Sequence, residues 1–277
     1  MSAPELKKVN IGKDRVISYR EAGKGPPVVI LHGLGGRSES WVPQYEGLSN
    51  SNLVIGWDAP GYNLSSEMQE NEPEIADYME VLKRFTDALG LKNFHLVGHS
   101  VGTCIAAAFH QSYPEQLLSL TLAEAVIGSG RDPKEKQELL IAARFNEFKK
   151  MSPREVAQKK TPNSLSPNAS SEIIQAATDF ASNVKVKGYL RLFVSLVRVN
   201  IFDFVTSLAC PAMIIAGSED KSAPAEFVKQ IANAYPGINY HLIEGIGHQI
   251  AFEKPEVFVE LLREHFKNGE SQMQAAE

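Results

Sequence analysis

The sequence predicts an α/β fold: a mostly parallel sheet covered by helices on both faces, with a block of helices inserted late in the chain. Three observations lead there. Short continuous apolar runs recur at 27–31, 53–55, 94–97, 117–122, 212–216 and 240–243, and unbroken apolarity marks strands buried on both faces, as in parallel sheets. Segments with helical periodicity separate most of these runs, an alternation that builds a doubly covered sheet. Between 127 and 208 the alternation stops and only helix signals remain.

In chain order, the first element is a hairpin. Segments 9–11 and 15–20 are strand-like and flank Gly12-Lys-Asp14, a turn composition. The run 27–31 ends in His32-Gly33, and 53–55 leads to Asp58-Ala-Pro-Gly61. Segment 73–89 carries Ile75, Met79, Leu82, Phe85 and Leu89 on one helical face. The run 94–97 passes through Gly98-His-Ser-Val-Gly102 into a small-residue helix over 100–111. In the helical block, Asp132-Pro-Lys-Glu135 and Ser152-Pro-Arg-Glu155 read as capping boxes with proline at the first helical position. Segment 161–171 is rich in Pro, Asn and Ser and predicts a loop. Leu190, Phe193, Val194, Val197 and Ile201 form a helical stripe. Further helices are expected at 224–234 and 255–266, each opened by proline. The chain thus divides into a core, 1–126 and 209–277, and a helical cap, 127–208, inserted between two core strands. Such a cap can cover the strand ends, where open α/β sheets take their ligands.

With 277 residues, 43% hydrophobic and 22% charged, the chain can bury a full core, which excludes disordered and collagen-like classes. A net charge of −5, with basic residues clustered only in pairs, argues against a nucleic-acid partner. Cys104 and Cys210 predict reduced, buried thiols. No Cys/His grouping has metal-ligand spacing, and neither a secretory apolar region nor a membrane-length run is present. The expectation is a cytoplasmic protein that acts on a small molecule, without a membrane partner.

The chemistry centres on Gly98-His-Ser100-Val-Gly102. An apolar strand enters this pentapeptide and a helix leaves it, which forces the serine into a strained turn and exposes its hydroxyl at a helix N-terminus. A serine hydroxyl needs a base, and the base needs an orienting partner. Of seven histidines, His248 lies in a glycine-bearing loop beyond an apolar run and is the candidate base. His95, His110 and His265 read as surface or packing residues, and His32 and His99 as neighbours of the site. Asp220 follows the run 212–216 and precedes a helix start, so it is the candidate acid; Glu124 and Glu219 are its rivals. The order Ser100, Asp220, His248 is that of the α/β-hydrolase triad. The oxyanion donors expected are the N–H groups of Val101 and of Leu34, in the glycine-rich loop His32-Gly-Leu-Gly-Gly36.

Together these motifs resemble the α/β-hydrolase superfamily: His32-Gly33 with Trp41, Asp58-Ala-Pro-Gly61, Gly98-His-Ser-Val-Gly102, Gly217-Ser-Glu-Asp220 with Pro224, and Gly247-His248 with Glu253-Lys-Pro255. They span nearly the whole chain, and the helical block falls where that superfamily carries its cap. Within it the chain is similar to the group holding 3-oxoadipate enol-lactonases, carboxylesterases and meta-cleavage-product hydrolases. Ser100 departs from the aspartate nucleophile of haloalkane dehalogenases and epoxide hydrolases. Gly33-Leu-Gly-Gly36 and Gln249 depart from the glycine-proline-glycine loop and the tryptophan after histidine that are usual in meta-cleavage hydrolases. The resemblance implies a serine hydrolase of an ester, lactone or related carbonyl compound, needing no cofactor or metal. Carbon–carbon bond hydrolysis of a ring-fission product is the alternative, and a non-catalytic receptor of the same fold is a second. Gly33-Leu-Gly35 with Asp58 also mimics a dinucleotide fingerprint, but Ser38 stands where its third glycine belongs.

Overall fold

A computed structural model describes residues 2–276, with side chains through 272. Eight strands form one sheet: β1 (Leu6–Asn10), β2 (Val16–Ala22), β3 (Pro27–Leu31), β4 (Leu53–Trp57), β5 (Phe94–His99), β6 (Leu117–Ala123), β7 (Ala212–Gly217) and β8 (Asn239–Ile243). Their order is β1-β2-β4-β3-β5-β6-β7-β8; β2 runs antiparallel to both its neighbours, β1 and β4, and every other neighbouring pair is parallel. The expected hairpin is present, its turn carried by Gly12, Lys13 and Asp14, all at positive φ.

Five of the six apolar runs are strands buried on both faces; the sixth, β8, is an edge strand and stays partly open to solvent, with Leu242 exposed. In β3, Val29 and Leu31 join one core while Val28 and Ile30 join the other, because successive side chains point to opposite faces. The first core is closed by α2 (Ile75–Ala88), α3 (Val101–Ser112) and α8 (Ala225–Ala234); the second by α1 (Val42–Leu48) and α10 (Pro255–Ala276), the latter preceded by the short α9 (Ile250–Glu253). The chain leaves β3 toward β4 on one side and returns as β5 on the other. That reversal opens a crevice at the carboxyl ends of β3 and β5, the usual ligand position in such sheets.

Between β6 and β7 lie α4 (Lys134–Lys150), α5 (Pro153–Ser164), α6 (Ser171–Ala181) and α7 (Val186–Arg198). The expected stripe is the inner face of α7, where Phe193 and Val197 are buried and Ile201 follows in a short turn. Arg191 also ties α7 to the loop before α2, donating to Met68 O at 2.8 Å and Glu67 Oε2 at 3.0 Å.

Three local expectations are corrected. Ser152 and Glu155 do form a capping box, but Asp132 and Glu135 do not. Pro133, at φ −52° and ψ 142°, is itself the N-cap of α4, so Asp132 falls outside the helix and pairs with Lys136 at 3.0 Å. The predicted loop at 161–171 begins later, because α5 continues through Pro162 to Ser164. Burial of Val156, Ala157 and Thr161 holds that last turn, outweighing the hydrogen bond that proline forfeits. Finally, Cys104 is buried as expected, whereas Cys210 is only half-buried. Among the described residues no helix is long and apolar enough to cross a membrane.

Two histidines read as packing residues fasten α10 to the sheet. His95 bonds Ser119 Oγ at 2.8 Å and stacks on Phe266 at 4.3 Å; His265 donates to Leu120 O at 3.1 Å. Burial pushes the His95 ring down to about 3 and the His265 ring down to about 4, from an ordinary 6.5. Below 6.5 the unfolded chain therefore binds protons that the folded one refuses. Stability is complete above that pH and is lost as pH falls, by about 1.4 kcal/mol per unit for each ring. The urea midpoint is expected to drop steeply from pH 6.5 to 4.5; a flat profile would show that neither ring resists protonation.

Candidate active site

At the crevice, β5 ends at His99 and α3 starts at Val101, leaving Ser100 to make the whole turn. Its φ of 54° is strained for a residue with a side chain. The turn closes only because its flanks have none. A Cβ on Gly98 would lie 2.5 Å from Gly102 O, and one on Gly102 2.7 Å from Leu31 O. Both obstacles are backbone and cannot move aside.

The loops after β7 and β8 bring two further side chains to this turn. His248 Nε2 lies 2.9 Å from Ser100 Oγ, and its Nδ1 lies 2.7 Å from Asp220 Oδ2. All three residues are buried. The other carboxylate oxygen of Asp220 accepts the N–H groups of Ser222 at 2.7 Å and Ala223 at 2.9 Å, which fixes its plane. An acceptor on Nδ1 keeps the proton there and leaves Nε2 free to accept from the serine. Burial alone would lower the His248 pKa, but Asp220, with Glu124 and Glu253 behind it, outweighs burial and holds it above the ordinary value. Burial likewise pushes the Asp220 carboxyl up, yet His248 and the two N–H groups bring it below the usual range.

The rival acids are turned elsewhere. Glu124 Oε1 accepts the Ile250 N–H at 2.7 Å, and its Oε2 lies 2.9 Å from His99 Nε2. His99 in turn sits 2.9 Å from the His248 carbonyl. Glu219 accepts the Ser166 hydroxyl. Asp220 is thus the candidate that meets the His248 ring.

Leu34 lines the same cavity as Ser100, and Val101 heads α3, where the first N–H groups have no acceptor within the helix. The Leu34 loop is pinned from behind. Tyr62 Oη donates to Leu34 O at 2.9 Å. His32 accepts the Ala59 N–H at 3.0 Å through Nε2, so its Nδ1 donates to Gly33 O at 2.7 Å.

Glu253 is the residue whose part was not legible beforehand. Its half-buried carboxylate accepts the N–H groups of Gly247 at 3.0 Å, Gln249 at 3.2 Å and Ser166 at 2.7 Å, bracketing His248. Burial, the larger influence, raises its pKa despite those donors. The only signal was an acid five positions after the histidine, just before a helix-starting Lys-Pro. The inserted helices reach the same loop, since the His248 N–H donates to Ser164 O at 2.6 Å.

The alpha/beta hydrolase fold family matches residues 26–255, most of the described chain. The chain belongs to the alpha/beta hydrolase fold family. This hydrolase is 23% identical to the (E)-2-((N-methylformamido)methylene)succinate hydrolase of Acinetobacter baylyi, over 90% of its own length and 94% of that protein. It is 27% identical to a 2-hydroxy-6-oxononadienedioate/2-hydroxy-6-oxononatrienedioate hydrolase of Paraburkholderia phymatum, over 94% and 95% of the two chains. Among solved structures, a thermophilic esterase from Thermogutta terrifontis superposes with a TM-score of 0.85, at 22% identity and over 96% and 99% of the chains, a likeness of fold.

Proposed function

We propose that this alpha/beta hydrolase is a serine hydrolase that cleaves an ester, lactone or related carbonyl substrate through an acyl-enzyme. The observation that carries the reading is the unbroken hydrogen-bond chain Asp220–His248–Ser100, opening into a cavity of about 690 Å³. Ser100 Oγ bonds to the carbonyl carbon as its proton passes to His248 Nε2, and Asp220 stabilises the charged ring. The Val101 and Leu34 N–H groups hold the oxyanion. Collapse breaks the bond to the leaving oxygen, which takes the proton from His248; in a lactone that oxygen stays tethered. Water then attacks the acyl carbon, gives its proton to His248, and the product acid leaves as Ser100 regains its hydrogen. The helices α4 to α7 act as a cap whose Phe148, Val156, Phe180 and Phe193 wall the cavity.

The test is hydrolysis of p-nitrophenyl esters from acetate to decanoate, with Ser100→Ala alongside. Turnover by the wild type alone supports the reading, and the chain-length optimum sizes the cavity. Equal rates across the series would overturn ester hydrolysis in favour of carbon–carbon cleavage of a ring-fission dienoate or of ligand binding without turnover.

Because His248 must be neutral to accept a proton, kcat/KM is expected to fall as pH drops through a value above 6.5. Glu253→Gln removes one nearby negative charge and loosens the histidine loop. It is expected to move that kinetic pKa down and cost roughly 10- to 100-fold in kcat/KM, the effect of leaving buried donors short of an acceptor. A lower rate with an unmoved pH profile would confine Glu253 to holding the loop.

A further inference from the structure

We infer that the cavity takes a substrate bearing a carboxylate away from the scissile carbonyl, held by Arg144 and Lys160 on the inserted helices. This deepens the ester-hydrolase reading and rests on it. Three cationic side chains line the cavity, Arg144, Lys160 and Lys221, and among its described lining residues there is no aspartate or glutamate. Charge on this wall is unbalanced. Glu147 faces Arg144 at 3.2 Å, Lys159 at 3.2 Å and Lys160 at 3.4 Å. One carboxylate against three cations leaves an excess of positive charge, and two of the three open on the cavity. Burial would push the Glu147 carboxyl up, yet Lys159, Lys160 and Arg144 hold it below its ordinary value, so it stays ionised.

Arg144 is built into the wall. Its side chain is only 16% exposed. Nε turns to Glu147, Nη1 donates to the Tyr189 hydroxyl, and the guanidinium lies 4.3 Å above the Phe193 ring. A cation oriented in advance, with little water around it, gains more from an anionic partner than a mobile surface charge does. Lys160, on the neighbouring α5, adds a second charge. The catalytic groups sit at the sheet ends and these cations on α4 and α5, and all of them line one cavity, so an acyl chain ending in a carboxylate can meet both.

The probes are a matched pair, the mono-p-nitrophenyl ester of suberate and its neutral methyl ester. The wild type is expected to favour the acid in kcat/KM by about 100-fold or more. Arg144→Gln and Lys160→Gln should each cut that ratio by about 10- to 100-fold, the range for a charge-assisted hydrogen bond, chiefly through KM; Arg144→Lys should restore part of it. Lys160 is 42% exposed, so its substitution tests the idea even if Arg144→Gln fails to fold. In parallel, free suberate should bind Ser100→Ala in a calorimeter and bind Ser100→Ala/Lys160→Gln more weakly. Equal rates on the two esters in the wild type, or a ratio that neither substitution changes, would overturn the inference. Suberate binding that depends on Lys160, without turnover of either ester, would uphold the anion site and remove the hydrolase reading; neither turnover nor binding would overturn both.

Discussion

Ser100→Ala is expected to lower kcat/KM on any substrate of this hydrolase by about 10⁵- to 10⁶-fold, the loss seen when a triad nucleophile is removed. His248→Ala should cost about as much, and the double variant no more than either alone, as the proposed mechanism makes the two side chains one device. A residual rate above the solution reaction should survive, since the cavity and the proposed Leu34 and Val101 donors remain. Neither substitution alters the glycine-flanked turn, so urea midpoints should stay near that of the wild type. Additive losses in the double variant would mean that Ser100 and His248 act separately, despite the 2.9 Å between them.

Asp220→Asn is expected to cost about 10⁴-fold with the fold intact. The reason lies in the partners of the carboxylate. One oxygen accepts two backbone N–H groups, from Ser222 and Ala223, and the other faces His248 Nδ1. Asparagine must keep its oxygen toward the backbone donors, because turning its NH₂ there would set donors against donors. The NH₂ then faces Nδ1 and makes that nitrogen the acceptor. The ring proton moves to Nε2, which can no longer take one from Ser100. Rates on the best ester, with urea midpoints as control, decide the matter. Activity within tenfold of the wild type would return the acid's role to Glu124, the other carboxylate at a core strand end.

Much of this site was legible in one dimension because its determinants are local. Gly98 and Gly102 lie two residues either side of Ser100, and the clash they avoid involves their own turn and the adjacent strand. Strand runs and helical stripes are likewise set by neighbours at fixed spacing. Where local signals misled, packing was stronger. Pro162 marked a break, yet the buried face of α5 carried the helix past it. Asp132 matched a capping pattern, but Pro133 took the cap.

The sequence by itself determined the sheet-and-helix alternation and the serine turn, and it singled out Ser100, Asp220 and His248 as candidates, since each of these signals lies within a few positions of the residue it marks. Only the tertiary structure decided which acid meets the histidine, why Glu253 brackets its loop, and which cations face the cavity. Ser100 and His248 stand 148 residues apart, and Arg144 reaches the cavity from an inserted helix. Such pairings depend on how whole elements pack, and burial then sets the strength of each charge and hydrogen bond by excluding water.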